Sequence, residues 1–434
     1  MLLPKTAACT ENVNGELYID GLAVTGIAKE YGTPLYLYSA NRIRENYRRM
    51  HSAFRRLRKK FRLNFAVKAN SNLTTLSILR TEGSGADCSS PAEIMLAKTA
   101  GFEGEQIIYS GNYSSDRELE YGFKSGAIVN LDDGPLLERL LRFGRPDVVS
   151  FRVNPGVGRG KYKGLVTAGP EAKFGMVEED AVRAYGFAKK SGIGRFGLHM
   201  MSGSNVLDPE YFPAITDRLM AIAGRISREL GIEFDFIDIG GGFGVPYQEE
   251  EDELPVEEVA EMVVGRFEDG IASAGTMGDP QLFIEPGRYI VCDAGFLLAT
   301  VTHVKKGERN FIGCDAGMNT LLRPALYGAY HEILPANRMN DAREMTASVT
   351  GQICENTDMM GKDRKMPELE PGDLLAFMDC GAYGYSMASN YNSRPLPAEV
   401  FIIDGKTYLA RESETVPDFL KRQTVPPVVR KGAE

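Results

Sequence analysis

Four stretches of the chain combine residue types that do chemistry. In Asn64-Phe65-Ala66-Val67-Lys68-Ala69-Asn70 a lysine closes an apolar run. A lysine held at the end of a buried strand loses part of its hydration, which lowers its pKa and frees the amine to bond to a carbonyl carbon. A lone lysine in such a place is more often solvated, so its neighbours must decide. Asp238-Ile239-Gly240-Gly241-Gly242-Phe243-Gly244 follows another apolar run. Glycines there bare backbone N–H groups that can cradle a phosphate, although the same residues also make tight turns. The run is not a dinucleotide fingerprint, because Val245 stands where the last glycine of GxGxxG would be. Gly203-Ser204 would add a hydroxyl donor. In Glu285-Pro286-Gly287-Arg288 an acid and a guanidinium could serve opposite ends of one bound group, the acid holding a protonated ring nitrogen and Arg288 an anion. Arg323-Pro324-Ala325-Leu326-Tyr327, Cys354-Glu355 and Gly381-Ala382-Tyr383 add an arginine, a thiol, an acid and phenols. Singly, each of these is as well explained by packing.

These groups need a scaffold that brings them to one place. Residues 35–38, 63–67, 107–109, 148–153 and 234–239 have strand length and composition. Between them 41–57, 73–81, 91–100, 117–126, 135–143, 178–190 and 209–230 read as helices, and 249–263 as a solvated helix with Pro255 in its first turn. Such alternation implies a parallel sheet covered by helices, and its length suits a (β/α)8 barrel over 35–285. The active site of such a barrel lies at the carboxyl ends of its strands. From residue 286 onward strands dominate, at 290–304, 310–314, 347–354, 374–379, 399–403 and 407–411. Residues 1–34 and 286–434 therefore read as one β-rich domain, a β-barrel or β-sandwich.

Composition limits the partners. The chain has 434 residues, 43% hydrophobic and 25% charged, with 50 Lys plus Arg against 59 Asp plus Glu and a net charge of −9. That suits a globular protein and gives no basic excess for nucleic acid. The six cysteines are scattered without metal-ligand spacing, as in a reducing, cytoplasmic compartment. No run approaches the ~20 apolar residues of a membrane helix, and no secretory leader is visible.

Taken together, VKAN, GGGFG, EPGR, DAGMN with RPALY, the Cys-Glu pair and GAYGYSMASNYN resemble the fold-type III pyridoxal-phosphate-dependent decarboxylases. The likeness runs from about Asp20 to Leu420 and is closest to the diaminopimelate decarboxylase branch. It implies pyridoxal 5′-phosphate as cofactor and Lys68 as the residue bonded to it. Glu285 would hold the pyridine nitrogen. Gly240, Gly241, Gly242, Ser204, Gly287, Arg288 and Tyr383 would surround the phosphate, with Asp87, His199 and Asn154 facing the cofactor. Arg288, Arg323, Tyr327, Glu355 and Tyr383 would line the pocket of a small amino-acid substrate. The site would be shared across a homodimer, with Cys354 and Glu355 from the partner chain and Cys354 returning a proton. The implied reaction is decarboxylation of meso-2,6-diaminopimelate to L-lysine. The alternatives are another basic or carboxylated amino acid as substrate, or a non-catalytic cofactor-binding homologue. One position departs from the family: its HxHIGSQ segment stands here as His199-Met200-Met201-Ser202-Gly203-Ser204-Asn205, with Met201 in place of a ring-stacking histidine. The glycine- and lysine-rich stretch 158–169 reads equally as a lid over the pocket or as an ordinary surface loop.

Overall fold

The computed structural model describes residues 9–156, 159, 160, 169 and 172–430. Eight short parallel strands close into a barrel in chain order: β1 (Phe61–Ala66), β2 (Gly85–Cys88), β3 (Ile107–Tyr109), β4 (Ile128–Leu131), β5 (Val148–Val153), β6 (Arg195–Met200), β7 (Phe236–Asp238) and β8 (Gln281–Ile284). Nearly every strand residue is buried, as in a sheet packed on both faces. Seven helices follow the first seven strands, from Leu73–Thr81 to Val256–Ala274.

The eighth place in the ring is filled from the wrong side of the sequence. Only one helical turn, Arg288–Val291, follows β8, and the outer position belongs to Ala40–Leu57, which precedes β1. Ser39 caps that helix by accepting the Arg42 N–H at 3.0 Å. Ile43, Tyr47, Met50 and Phe54 recur at helical spacing and are all buried. Its arginines face acids of this same chain, Arg48 meeting Glu82 at 2.7 Å and Arg49 meeting Glu257 at 2.9 Å.

A branched nine-stranded sheet makes the second unit. Gly295–Lys305 is its long central strand, and Leu35–Ser39 lies between it and Ala398–Ile403. The N-terminal meander (Thr10–Val13, Glu16–Ile19, Leu22–Ala23) packs onto this sheet through Leu17 and Ile19, which join Leu35, Phe296 and Val400 in one core.

Some local expectations change. The strand near residue 35 belongs to the sheet, because its partners lie more than two hundred residues later in the chain. Residues 288–294 are helical turns, so the long strand starts at Gly295 and not at 290. The strand expected over 347–354 ends at Thr350 and leaves Cys354 on a loop. The helix expected at 249–263 runs Val256–Ala274 after Pro255, and it buries Val259, Val263 and Phe267 against the barrel. The stretch 158–169, read as a lid or a surface loop, lies outside the described residues except for Arg159, Gly160 and Gly169. Among the described residues no helix is long and apolar enough to cross a membrane.

Candidate active site

The carboxyl ends of the barrel strands carry the reactive groups, as the fold requires. A tight turn, Val67–Ala69, ends β1 and presents Lys68. Its Nζ donates to Asp87 Oδ2, on β2, at 2.6 Å. The lysine side chain borders open space while Asp87 is buried, 40% against 1% exposed. Burial works to lower the Lys68 pKa, but Asp87, helped by Tyr383 and Glu285, outweighs it and holds the ammonium above its ordinary value. The lowered pKa expected from desolvation is thus reversed by a carboxylate 19 residues away. The amine becomes a nucleophile only once it gives up a proton, and Asp87 is the acceptor already in contact with it.

Behind Lys68 sit three buried groups. His199 on β6 meets Glu285, just after β8, at 3.0 Å between Nε2 and Oε2. Asp238 ends β7, accepts the Gly240 N–H at 2.8 Å, and converges with both to within 4.8 Å. Burial and the charge of Glu285 push Asp238 well above the usual carboxylate range. Burial alone would also raise Glu285, but His199 and Lys68 bring it below its ordinary value. Of the two carboxyls, the site favours charge on Glu285 and disfavours it on Asp238. Glu285 Oε1 and Asp87 Oδ1 are buried and accept no hydrogen bond from the described residues.

The glycine run lies beside this acid cluster. Gly240 and Gly242 have φ of +75° and +97°, and a Cβ on Gly241 would stand 2.3 Å from the Glu285 carbonyl oxygen, so only glycine fits. A Cβ on Gly287 would approach that of Ala69 to 2.9 Å. Met201 lies against the run, its Sδ accepting the Gly241 N–H at 3.2 Å. Arg288 Nη2 reaches Ser204 Oγ at 3.4 Å, and its guanidinium lies 4.8 Å from the Tyr383 ring. Tyr383 is fixed by its own N–H donating to the Ala69 carbonyl at 2.8 Å.

Arg323 begins the helix Arg323–Tyr327 and is buried beside Arg288, while Tyr327 at the other end is half-buried. Asn154, at the end of β5, bonds both N–H and carbonyl of Gly169. Cys354 and Glu355 stand apart. Both are exposed on the loop after Thr350, and their hydrogen-bond partners, Asn392, Thr357 and Tyr391, all lie in the β-rich unit. Sequence reasoning missed Asp238 and Tyr247 as members of the site. Asp238 stands two residues before the glycine run, which was the available signal; nothing near Tyr247 in the chain marks it.

Comparison with known proteins gives the chain's family. Residues 40–292 match the family model described as pyridoxal-dependent decarboxylase, pyridoxal binding domain. A diaminopimelate decarboxylase of Methanothermobacter thermautotrophicus is 46% identical, over 96% of this chain and 97% of its own. The chain belongs to the diaminopimelate decarboxylase family. A second member, from Thermoplasma acidophilum, is 40% identical over 93% of this chain and 96% of its own. The crystal structure of the M. jannaschii diaminopimelate decarboxylase in complex with L-lysine superposes with a TM-score of 0.90 at 31% identity, covering 98% of this chain and 99% of the other.

The family's cofactor is pyridoxal 5′-phosphate, and the residues present fit it. The cradle of side-chain-free N–H groups beside Arg288 and Ser204 suits the phosphate. Glu285 Oε1 offers a buried, charged acceptor for a ring N–H. Lys68 supplies the primary amine.

Proposed function

We propose that this enzyme decarboxylates meso-2,6-diaminopimelate to L-lysine, the last step of lysine biosynthesis, as a homodimer whose two sites each draw on both chains. One observation carries the choice of substrate: two buried guanidiniums, Arg288 and Arg323, lie together, and among the described residues neither pairs with a carboxylate. Buried cations call for anions. A phosphate accounts for Arg288, and a carboxylate at the far end of the substrate accounts for Arg323. A substrate ending in an amine would meet acids there instead.

When bound, pyridoxal phosphate supplies an electron sink for the charge left on the α-carbon as carbon dioxide departs. The chain's own groups do the rest. Once released from Asp87, the Lys68 amine would hold the cofactor. Glu285, kept ionised by His199 and Lys68, would hold the ring nitrogen. Arg323, Tyr327 and Glu355 orient the substrate's far end. Cys354 and Glu355 come from the second copy, consistent with their exposure in a single chain, and the Cys354 thiol gives the α-carbon its proton.

The test is carbon dioxide release from meso-diaminopimelate, its stereoisomers, lysine, ornithine and arginine. Release from the meso isomer with L-lysine formed is expected. Turnover of ornithine or arginine in its place would overturn the assignment.

A further inference from the structure

The glycine run ends in Val245-Pro246-Tyr247, and the Tyr247 phenol is buried where barrel meets sheet. Its oxygen accepts from Arg288 Nη1 at 2.5 Å and Arg323 Nη1 at 2.8 Å, and Cys292 Sγ lies 3.1 Å away. Both guanidiniums also face its ring, at 5.8 and 4.8 Å from the centroid. Two cations bonded to one oxygen repel each other in a poorly hydrated site, and a neutral, electron-rich phenol is what stands between them. The His331 ring packs edge-on to Tyr247 at 5.5 Å, and burial with Arg323 beside it lowers its pKa to about 3, so it adds no third charge.

We propose that Tyr247 is a positioning residue that joins Arg288 and Arg323 into one unit, so that a single oxygen sets both the phosphate site and the pocket for the substrate's far carboxylate. The inference rests on the assignment of those two sites made above. Without the oxygen, two buried N–H groups lose their acceptor and each arginine must turn elsewhere.

The test uses full-length Tyr247→Phe, which removes the oxygen and keeps the ring. Cys292→Ala, which removes only the neighbouring thiol, is the control. Tyr247→Phe is expected to weaken pyridoxal phosphate binding about tenfold in an absorbance titration without substrate, and to raise KM for meso-diaminopimelate about tenfold with kcat within about threefold. Cys292→Ala should leave both constants within about twofold. Tyr247→His, which returns a ring acceptor, should recover part of both losses and serves in its own right if the phenylalanine variant does not fold. A folded Tyr247→Phe with both affinities unchanged, or with only its Tm lowered, overturns the proposal. If the unsubstituted enzyme does not act on diaminopimelate, the functional assignment fails separately. The cofactor titration then still tests the Arg288 half, and calorimetry with pimelate, a dicarboxylate of the same chain length, tests the Arg323 half.

Discussion

Lys68 and Asp87 hold each other through a charge-assisted bond at 2.6 Å, so the substitution of either has a distinct signature. Lys68→Ala should lose both the visible absorbance of the bound cofactor and carbon dioxide release. A variant retaining the spectrum would remove Lys68 from the covalent role. Cys354→Ala should keep the spectrum and lose at least about a hundredfold in turnover, the usual scale of a positioned proton donor; unimpaired turnover would exclude the thiol. His331 gives a pH test. Its folded pKa of about 3 lies below the unfolded value near 6.5. The unfolded chain therefore binds the extra proton, and the stability His331 contributes is present above pH 6.5 and lost as pH falls toward 3. The fall in Tm on acidification should be shallower in His331→Asn than in the parent; parallel curves would show that His331 does not titrate on unfolding. Lys68, Glu285 and Arg288 were legible because each stands in a local motif within four residues of a strand end. Tyr247 was not, since its partners stand 41 and 76 residues away and only the closed barrel brings them together. The Lys68 pKa failed for a similar reason: desolvation can be read from a strand end, but the opposing carboxylate cannot.

Among the elements, the glycine run is the least tolerant. Gly242 has a positive φ, and a Cβ there would stand 3.0 Å from the Gly203 carbonyl oxygen. Gly242→Ala should weaken cofactor binding about tenfold or more, because backbone strain of about 1–3 kcal/mol must be relieved by moving the cradle. Titration with pyridoxal phosphate measures it, and parental affinity would show that the run does not hold the phosphate. The long helices could be read from periodicity alone. Gly85–Cys88 and Ile128–Leu131 escaped notice because strands of four residues carrying Asp87 and Asn130 show no apolar run. Leu35–Ser39 was recognised as a strand but placed in the wrong unit. Pairing with residues 295–298 and 398–402 leaves no mark on the five residues themselves.

At the scale of the whole molecule, the hydrogen bonds of the reactive residues fall into two sets. Lys68, Glu285 and Arg288 sit at the barrel mouth, while the hydrogen bonds of Cys354 and Glu355 stay on the sheet's outer loop. Shared sites make a quantitative prediction. Mixing inactive Lys68→Ala and Cys354→Ala chains in equal amounts, with subunit exchange, should restore about a quarter of parental activity, since half the dimers are mixed and each has one intact site. No recovery after verified exchange would mean that each chain works with its own thiol.

The placement of Leu35–Ser39 governs how this architecture can be recombined. The segment lies ahead of the barrel in the chain yet in the middle of the sheet, between Gly295–Lys305 and Ala398–Ile403. A crossover made only near residue 292 would graft a foreign sheet around a resident central strand. Two crossovers, one near residue 40 and one near 292, would move the barrel as a self-consistent insert and leave every strand of the sheet with its own partners. Chimeras between relatives should be soluble in the second design and aggregate in the first. The unit of exchange in this family is thus an insertion and not a half.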